Sequence, residues 1–168
     1  MSLRVLRRAS AAIAVTSALI FGVGATAAAP ALAAPPPSVR LANVYTGTCL
    51  DSYNWFIGGV PGRVTQITCG QAGHTTTQLW KIYVYSGYVK IKVGYDTGYC
   101  LNAVVGIGGV TIKQCQSNDL NQNWFETHVN ALWNIYENSA NDRCLDASAA
   151  YGVRVYTCSH TNTHQWWA

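Results

Sequence analysis

Six cysteines, four histidines and seven acidic side chains are the groups of this chain with chemistry to offer, and their spacing argues against most catalytic uses. No two cysteines form a Cys-x-x-Cys pair, so neither a redox dithiol nor a zinc ribbon is suggested. His160 and His164 are four apart, as in a zincin, but that site needs a helix with an acid between the histidines. The Ser/Thr/Asn-rich segment around them reads as a turn before a strand. There is no Gly-x-Ser-x-Gly elbow, no acidic calcium loop, and too few acids to nominate two carboxylates facing across a glycosidic bond. The expectation is a non-enzyme that needs no metal and no cofactor.

The cysteines instead mark a repeat. Thr46-Gly47-Thr48-Cys49-Leu50-Asp51 recurs as Thr97-Gly98-Tyr99-Cys100-Leu101-Asn102 and, more loosely, as Asn141-Asp142-Arg143-Cys144-Leu145-Asp146. Each start is followed by a second cysteine, Cys69, Cys115 or Cys158, and then by a closing tripeptide: Gln78-Leu79-Trp80, Gln122-Asn123-Trp124 and Gln165-Trp166-Trp167. The closing motifs lie 44 and then 43 residues apart, and the first copy carries the longer loop between its cysteines. Because each copy owns two cysteines at equivalent positions, symmetry pairs Cys49 with Cys69, Cys100 with Cys115 and Cys144 with Cys158.

What surrounds the repeats bounds the compartment and the partners. Arg4, Arg7 and Arg8 precede an apolar run to about Ala29, and Ala31-Leu32-Ala33 fits a small-x-small processing site. Residues 1–33 are expected to be a signal peptide and 34–37 an Ala/Pro leader; the run is too diluted by Ser, Thr, Gly and Ala for an anchor, so no membrane insertion is expected. The protein is placed outside the cell, where disulfides persist. Three of the 11 Lys and Arg go with the signal, leaving eight basic against seven acidic residues. That near-neutral balance lacks the footprint of a nucleic-acid partner.

Short strands dominate the remainder. Lys81 to Tyr85 and Tyr88 to Val93 alternate in polarity about Ser86-Gly87, which predicts a hairpin. Val39-Arg40-Leu41, Val110-Thr111-Ile112 and Val153-Arg154-Val155 alternate too, so the class is all-β. With residues two apart facing the same side of a strand, Gln and Trp of each closing motif are expected to travel together, and Trp80, Trp124 and Trp167 to meet in the core.

The three Cys-Leu-[Asp/Asn] starts, the three second cysteines and the three Gln-x-Trp ends together resemble the ricin-type lectin β-trefoil, over residues 38–168. The resemblance implies three four-stranded repeats, at about 38–82, 83–127 and 128–168, and as many as three shallow sugar sites. Its expected partner is a carbohydrate, galactose-type or a polysaccharide; the other class open to this fold is a protein-binding trefoil such as a protease inhibitor. In that family the Asp of the start motif accepts hydroxyl protons, an aromatic two residues before the second cysteine stacks on the sugar, and a polar residue precedes the closing Gln.

A sugar offers hydroxyls and C–H patches, so a site needs a carboxylate or amide beside an aromatic face. Carried onto this chain, the third repeat is the most complete, with Asp146, Tyr156, His164 and Gln165. The second keeps Asn121 and Gln122, but Asn102 replaces the acid and Lys113 the aromatic. The first keeps Asp51 and Gln78, has Ile67 at the stacking position and Thr77 before the Gln, and would need an aromatic from Tyr53, Trp55 or Phe56.

Overall fold

The computed structural model describes residues 34–52, 62, 64–95, 98–104, 106, 108–129 and 134–168. The expected signal peptide and the loop aromatics Tyr53, Trp55 and Phe56 lie outside them. The described residues form eleven strands: β1 Ser38–Val39, β2 Thr48–Asp51, β3 Thr65–Thr68, β4 Trp80–Tyr85, β5 Tyr88–Val93, β6 Tyr99–Ala103, β7 Val110–Gln114, β8 Trp124–His128, β9 Asn134–Asn138, β10 Arg143–Ser148 and β11 Gly152–Thr157. One sheet runs β1-β4-β5-β8-β9-β10-β11 with β6 and β7 attached through β5, while β2 and β3 pair separately. Among the described residues no helix is long and apolar enough to cross a membrane.

The threefold pattern of the sequence is a threefold pattern of ladders. The antiparallel pairs β2–β3, β6–β7 and β10–β11 each begin beside the first cysteine of a repeat and end beside the second. Disulfides join Cys49 to Cys69, Cys100 to Cys115 and Cys144 to Cys158 across these ladders, as repeat symmetry requires. The ladders β4–β5 and β8–β9 connect one repeat to the next. The third such connection is made by the chain end: Asn43 bridges Trp167, and Ala42 and Ala168 exchange N–H···O bonds of 3.0 and 2.9 Å. The twelfth strand of a trefoil is reduced here to that short bridge.

The hairpin read around Ser86-Gly87 forms with Tyr85 opposite Tyr88, and Gly87 takes φ of +84°, a region open to glycine at little cost. Leu50, Leu101 and Leu145 are fully buried beside Trp80, Trp124 and Trp167 in one core. Each tryptophan donates its Nε1 proton to the carbonyl of the leucine in its own repeat, at 3.0, 3.2 and 3.0 Å. A buried indole must find such an acceptor, and three rings covering about 150–250 Å² each account for much of a small core. One cation also goes inside: burial lowers the pKa of the Lys90 ammonium, which donates to Gln116 O and Asn123 Oδ1 at 2.9 and 2.8 Å.

The closing motifs are not continuous strands. Leu120–Gln122 and Thr163–Gln165 are single 3-10 turns, and Gln78 ends an equivalent turn, so each Gln closes a turn while its Trp begins the return path. Both side chains still point inward, because the turn brings the Gln back over the core.

Candidate functional site

Each closing Gln is fully buried and its amide is spent on backbone. Gln165 Oε1 accepts from Ser159 N at 2.9 Å while its Nε2 donates to Thr157 O at 2.8 Å. Gln122 links Gln116 N and Gln114 O, and Gln78 links Gly70 N and Thr68 O, in the same manner. An unsatisfied buried amide costs about 1–3 kcal/mol, so these fully buried groups are held where they are. Gln78, Gln122 and Gln165, expected as sugar contacts, are placed as pins that fasten the second cysteine loop to the core.

The start-motif residues diverge. Asp51 is fully buried, and its Oδ2 takes a proton from Thr77 Oγ1 at 2.9 Å and faces His74 Nδ1 at 3.2 Å. Its carboxylate is enclosed by side chains of its own repeat. Asn102 is 7 % exposed and gives its amide protons to Ala103 O and Thr111 Oγ1, at 3.1 and 3.3 Å. Nearby, Lys113 pairs with Asp119 at 3.2 Å, and Asn121 donates to the same Asp119. Partial burial raises the Asp119 pKa, but the bonds from Asn121 and Lys113 outweigh it and hold the carboxyl below its usual value. The second repeat thus presents an ion pair at its edge, with Lys113 rather than a ring at the stacking position.

The third repeat brings charge and aromatic surface together. Asp146 is buried, with Oδ1 accepting from Arg154 Nε at 3.1 Å and Oδ2 from Asn162 Nδ2 at 3.2 Å. The Arg154 guanidinium lies 4.6 Å from the centre of the Tyr151 ring and 4.4 Å from that of Tyr156. Those rings are 72 % and 49 % exposed, so an aromatic surface is open to solvent beside a fixed carboxylate–guanidinium pair. His164 is turned elsewhere: its Nδ1 is 2.8 Å from Ala147 O and its ring packs on Tyr45 at 3.8 Å. Of the four residues expected here, Asp146 and Tyr156 come together through Arg154, whereas Gln165 and His164 are taken up by the scaffold.

Arg154, Tyr151 and Asn162 did not figure among the expected site residues. The first was legible in principle, because β10 and β11 place Asp146 directly opposite Arg154, and Arg154 is two residues from Tyr156 on the same strand face. Asn162 caps the final turn by accepting from His164 N, as Asp119 caps the turn before by accepting from Asn121 N. The second repeat therefore carries its acid at the cap and the third carries it in the start motif.

Beside this cluster, β3, β7 and β11 converge: Val64 N reaches Val110 O at 3.4 Å and Val155 N reaches Gly108 O at 2.7 Å. Between them lies a groove of about 770 Å³ whose lining includes Thr65, Gln66, Thr111, Tyr151 and Arg154.

The ricin-type beta-trefoil lectin domain family matches residues 37–167, and the chain belongs to that family. No curated protein matches the sequence. Among solved structures, the designed threefold-symmetric protein ThreeFoil is similar with a TM-score of 0.63 at 20 % identity, over 77 % of this chain and 95 % of that one. The hemolytic lectin CEL-III is similar with a TM-score of 0.60 at 24 % identity, and an exo-beta-1,3-galactanase from Clostridium thermocellum with 0.62 at 22 %. The similarity covers 79 % and 77 % of this chain but 30 % and 29 % of those two larger ones. At such identities the likeness concerns the fold.

Proposed function

We propose that this protein is a secreted, non-catalytic carbohydrate-binding domain whose principal sugar surface is on the third repeat. The observation that carries the reading is the cluster of Asp146, Arg154, Tyr151 and Tyr156, where charged hydrogen-bonding groups sit beside two exposed rings. Tyrosine faces suit the C–H patches of a pyranose and the guanidinium supplies donors to its hydroxyls. The first repeat has Ile67 and the second Lys113 at the stacking position, where the third has Tyr156, so one surface rather than three is the working number. Three disulfides suit an oxidising compartment, in keeping with the leader that the sequence suggests. Galactose-containing polysaccharides are the ligand class to try first, given the family.

The test is a glycan array with the purified protein, repeated for Tyr151→Ala and Tyr156→Ala, whose side chains are exposed enough to remove without unfolding. Binding that weakens roughly tenfold in each variant, a loss of about 1.4 kcal/mol, supports the surface. Glycan binding untouched in both variants sinks the assignment to the third repeat. No glycan binding at all sinks the carbohydrate reading and favours a protein partner.

A further inference from the structure

We infer that the groove beside the third repeat takes an anionic saccharide, one whose ring bears a carboxylate or a sulfate ester, and that Arg154 grips the anion. The inference rests on the carbohydrate reading above and narrows its ligand class. Arg154 spends Nε on Asp146, but its terminal Nη1 and Nη2 have no hydrogen-bond partner among the described residues. These two nitrogens form the planar fork that matches the spacing of two oxygens on a carboxylate or sulfate, whereas a single hydroxyl uses only part of it.

The fork is also held. The ion pair to buried Asp146 anchors one edge of the guanidinium and the rings of Tyr151 and Tyr156 both lie against it, so little side-chain freedom remains to be lost on binding. Asp146 balances the charge of Arg154 from below, but it is buried and does not line the groove, where Arg154 is the one charged residue among those described. A second cation stands at the rim: Arg143 Nη1 lies 3.9 Å from where a Cβ of groove-lining Gly108 would be. A carboxylate in the groove would meet donors from one arginine and the field of another, with Asp146 beneath as the acid already paired with Arg154.

The groove wall has further capacity for a sugar. Thr65 Oγ1 is buried without a hydrogen-bond partner among the described residues, and such groups in native proteins are normally satisfied. Thr65 and Thr111 come from two other repeats, so the groove draws on all three copies while the Arg154 cluster belongs to one. Its volume of about 770 Å³ exceeds what one monosaccharide needs and suits a short oligosaccharide.

Titration calorimetry with the purified protein distinguishes the outcomes, using four probes: oligogalacturonate, the same oligosaccharide with its carboxyls reduced to neutral galactose, a sulfated galactan oligosaccharide, and a neutral galactan. Tighter binding of oligogalacturonate than of its reduced form by roughly tenfold or more, weakening as salt is raised, is the expected result. The sulfated arm tells whether the fork prefers a planar or a tetrahedral anion, and preference for either over the neutral probes supports the inference. Arg154→Lys keeps the charge and the partner of Asp146 but removes the fork, and should reduce the preference for the anionic probes several-fold. Near-ultraviolet circular dichroism of the variant checks that it is folded, and Thr65→Val supplies a second variant that leaves the ion pair intact and should weaken the acidic probe several-fold. Equal binding of acidic and neutral probes by the parent protein, or an acidic preference undiminished by both substitutions, overturns the inference and leaves the carbohydrate reading standing. Binding of none of the four overturns both.

Discussion

The second and third repeats share a backbone and differ in where they keep their charge. Each has a cysteine-linked two-stranded ladder, a 3-10 turn closed by a buried Gln, and a tryptophan bonded to its own leucine carbonyl. In the second, the acid is Asp119 at the turn cap, paired with Lys113. In the third, the acid is Asp146 beneath the ladder, paired with Arg154, and the cap is the neutral Asn162. Groups committed to backbone partners are repeated because any change leaves a buried polar atom or a hole; groups at the ladder edge can change, because solvent or another side chain can satisfy them. Fold and site are thus written at different positions of the same repeat.

The largest effect should come from the shared part. Trp80→Ala, Trp124→Ala and Trp167→Ala should each cost about 3–5 kcal/mol in chemical denaturation, or abolish folding. If any one of them costs under about 1 kcal/mol, the equivalence of the three repeats fails at that repeat.

Next in size are the amide pins. Gln122→Leu and Gln165→Leu should each lose about 1–3 kcal/mol of stability, with glycan affinity unchanged in a binding titration. A folded Gln165→Leu protein that no longer binds would return Gln165 to the site and blur the division drawn here.

A transplant sharpens the comparison further. Asn102→Asp, Thr111→Arg and Lys113→Tyr together place counterparts of Asp146, Arg154 and Tyr156 on the β6–β7 ladder, where Asn102 faces Thr111. The stoichiometry of saccharide binding should rise from one to two per chain by calorimetry, at an affinity of about −4 to −6 kcal/mol, typical of a millimolar to high-micromolar site. An unchanged stoichiometry would mean that the groove, rather than the edge set, confers binding.

The smallest effect belongs to the exposed pair of the second repeat. The Asp119 pKa is lowered in the folded protein, so its contribution to stability is present above the unfolded value of 3.8 and is lost as pH falls through the lower folded value. Asp119→Asn should flatten the acid limb of a stability–pH curve by under about 1 kcal/mol, because Lys113 is half exposed and screened. A steeper loss in the variant than in the parent would contradict that sign.

Much of the molecule could be read in its residues. Alternating segments such as Lys81 to Tyr85 implied the all-β class, and the phased Cys-Leu, second Cys and Gln-x-Trp positions implied the trefoil through their resemblance to the ricin-type family. The sequence also located Asp146 and Tyr156 on one repeat. It did not show that Gln165 bonds to backbone or that His164 packs on Tyr45, since polarity before a tryptophan says nothing of whether an amide faces solvent or a backbone carbonyl.

Arg154 shows the boundary between the two kinds of information most directly. One dimension presents it as a polar residue alternating between two valines; only the register of β10 against β11 sets it on Asp146, and only the loop and strand beside it stack it between Tyr151 and Tyr156. Sequence alone determined the scaffold, because burial and disulfide geometry demand the same residue types in every copy. The tertiary structure decided the candidate site, because a binding surface depends on which side chains meet across strands, and pairing distances are not written along the chain.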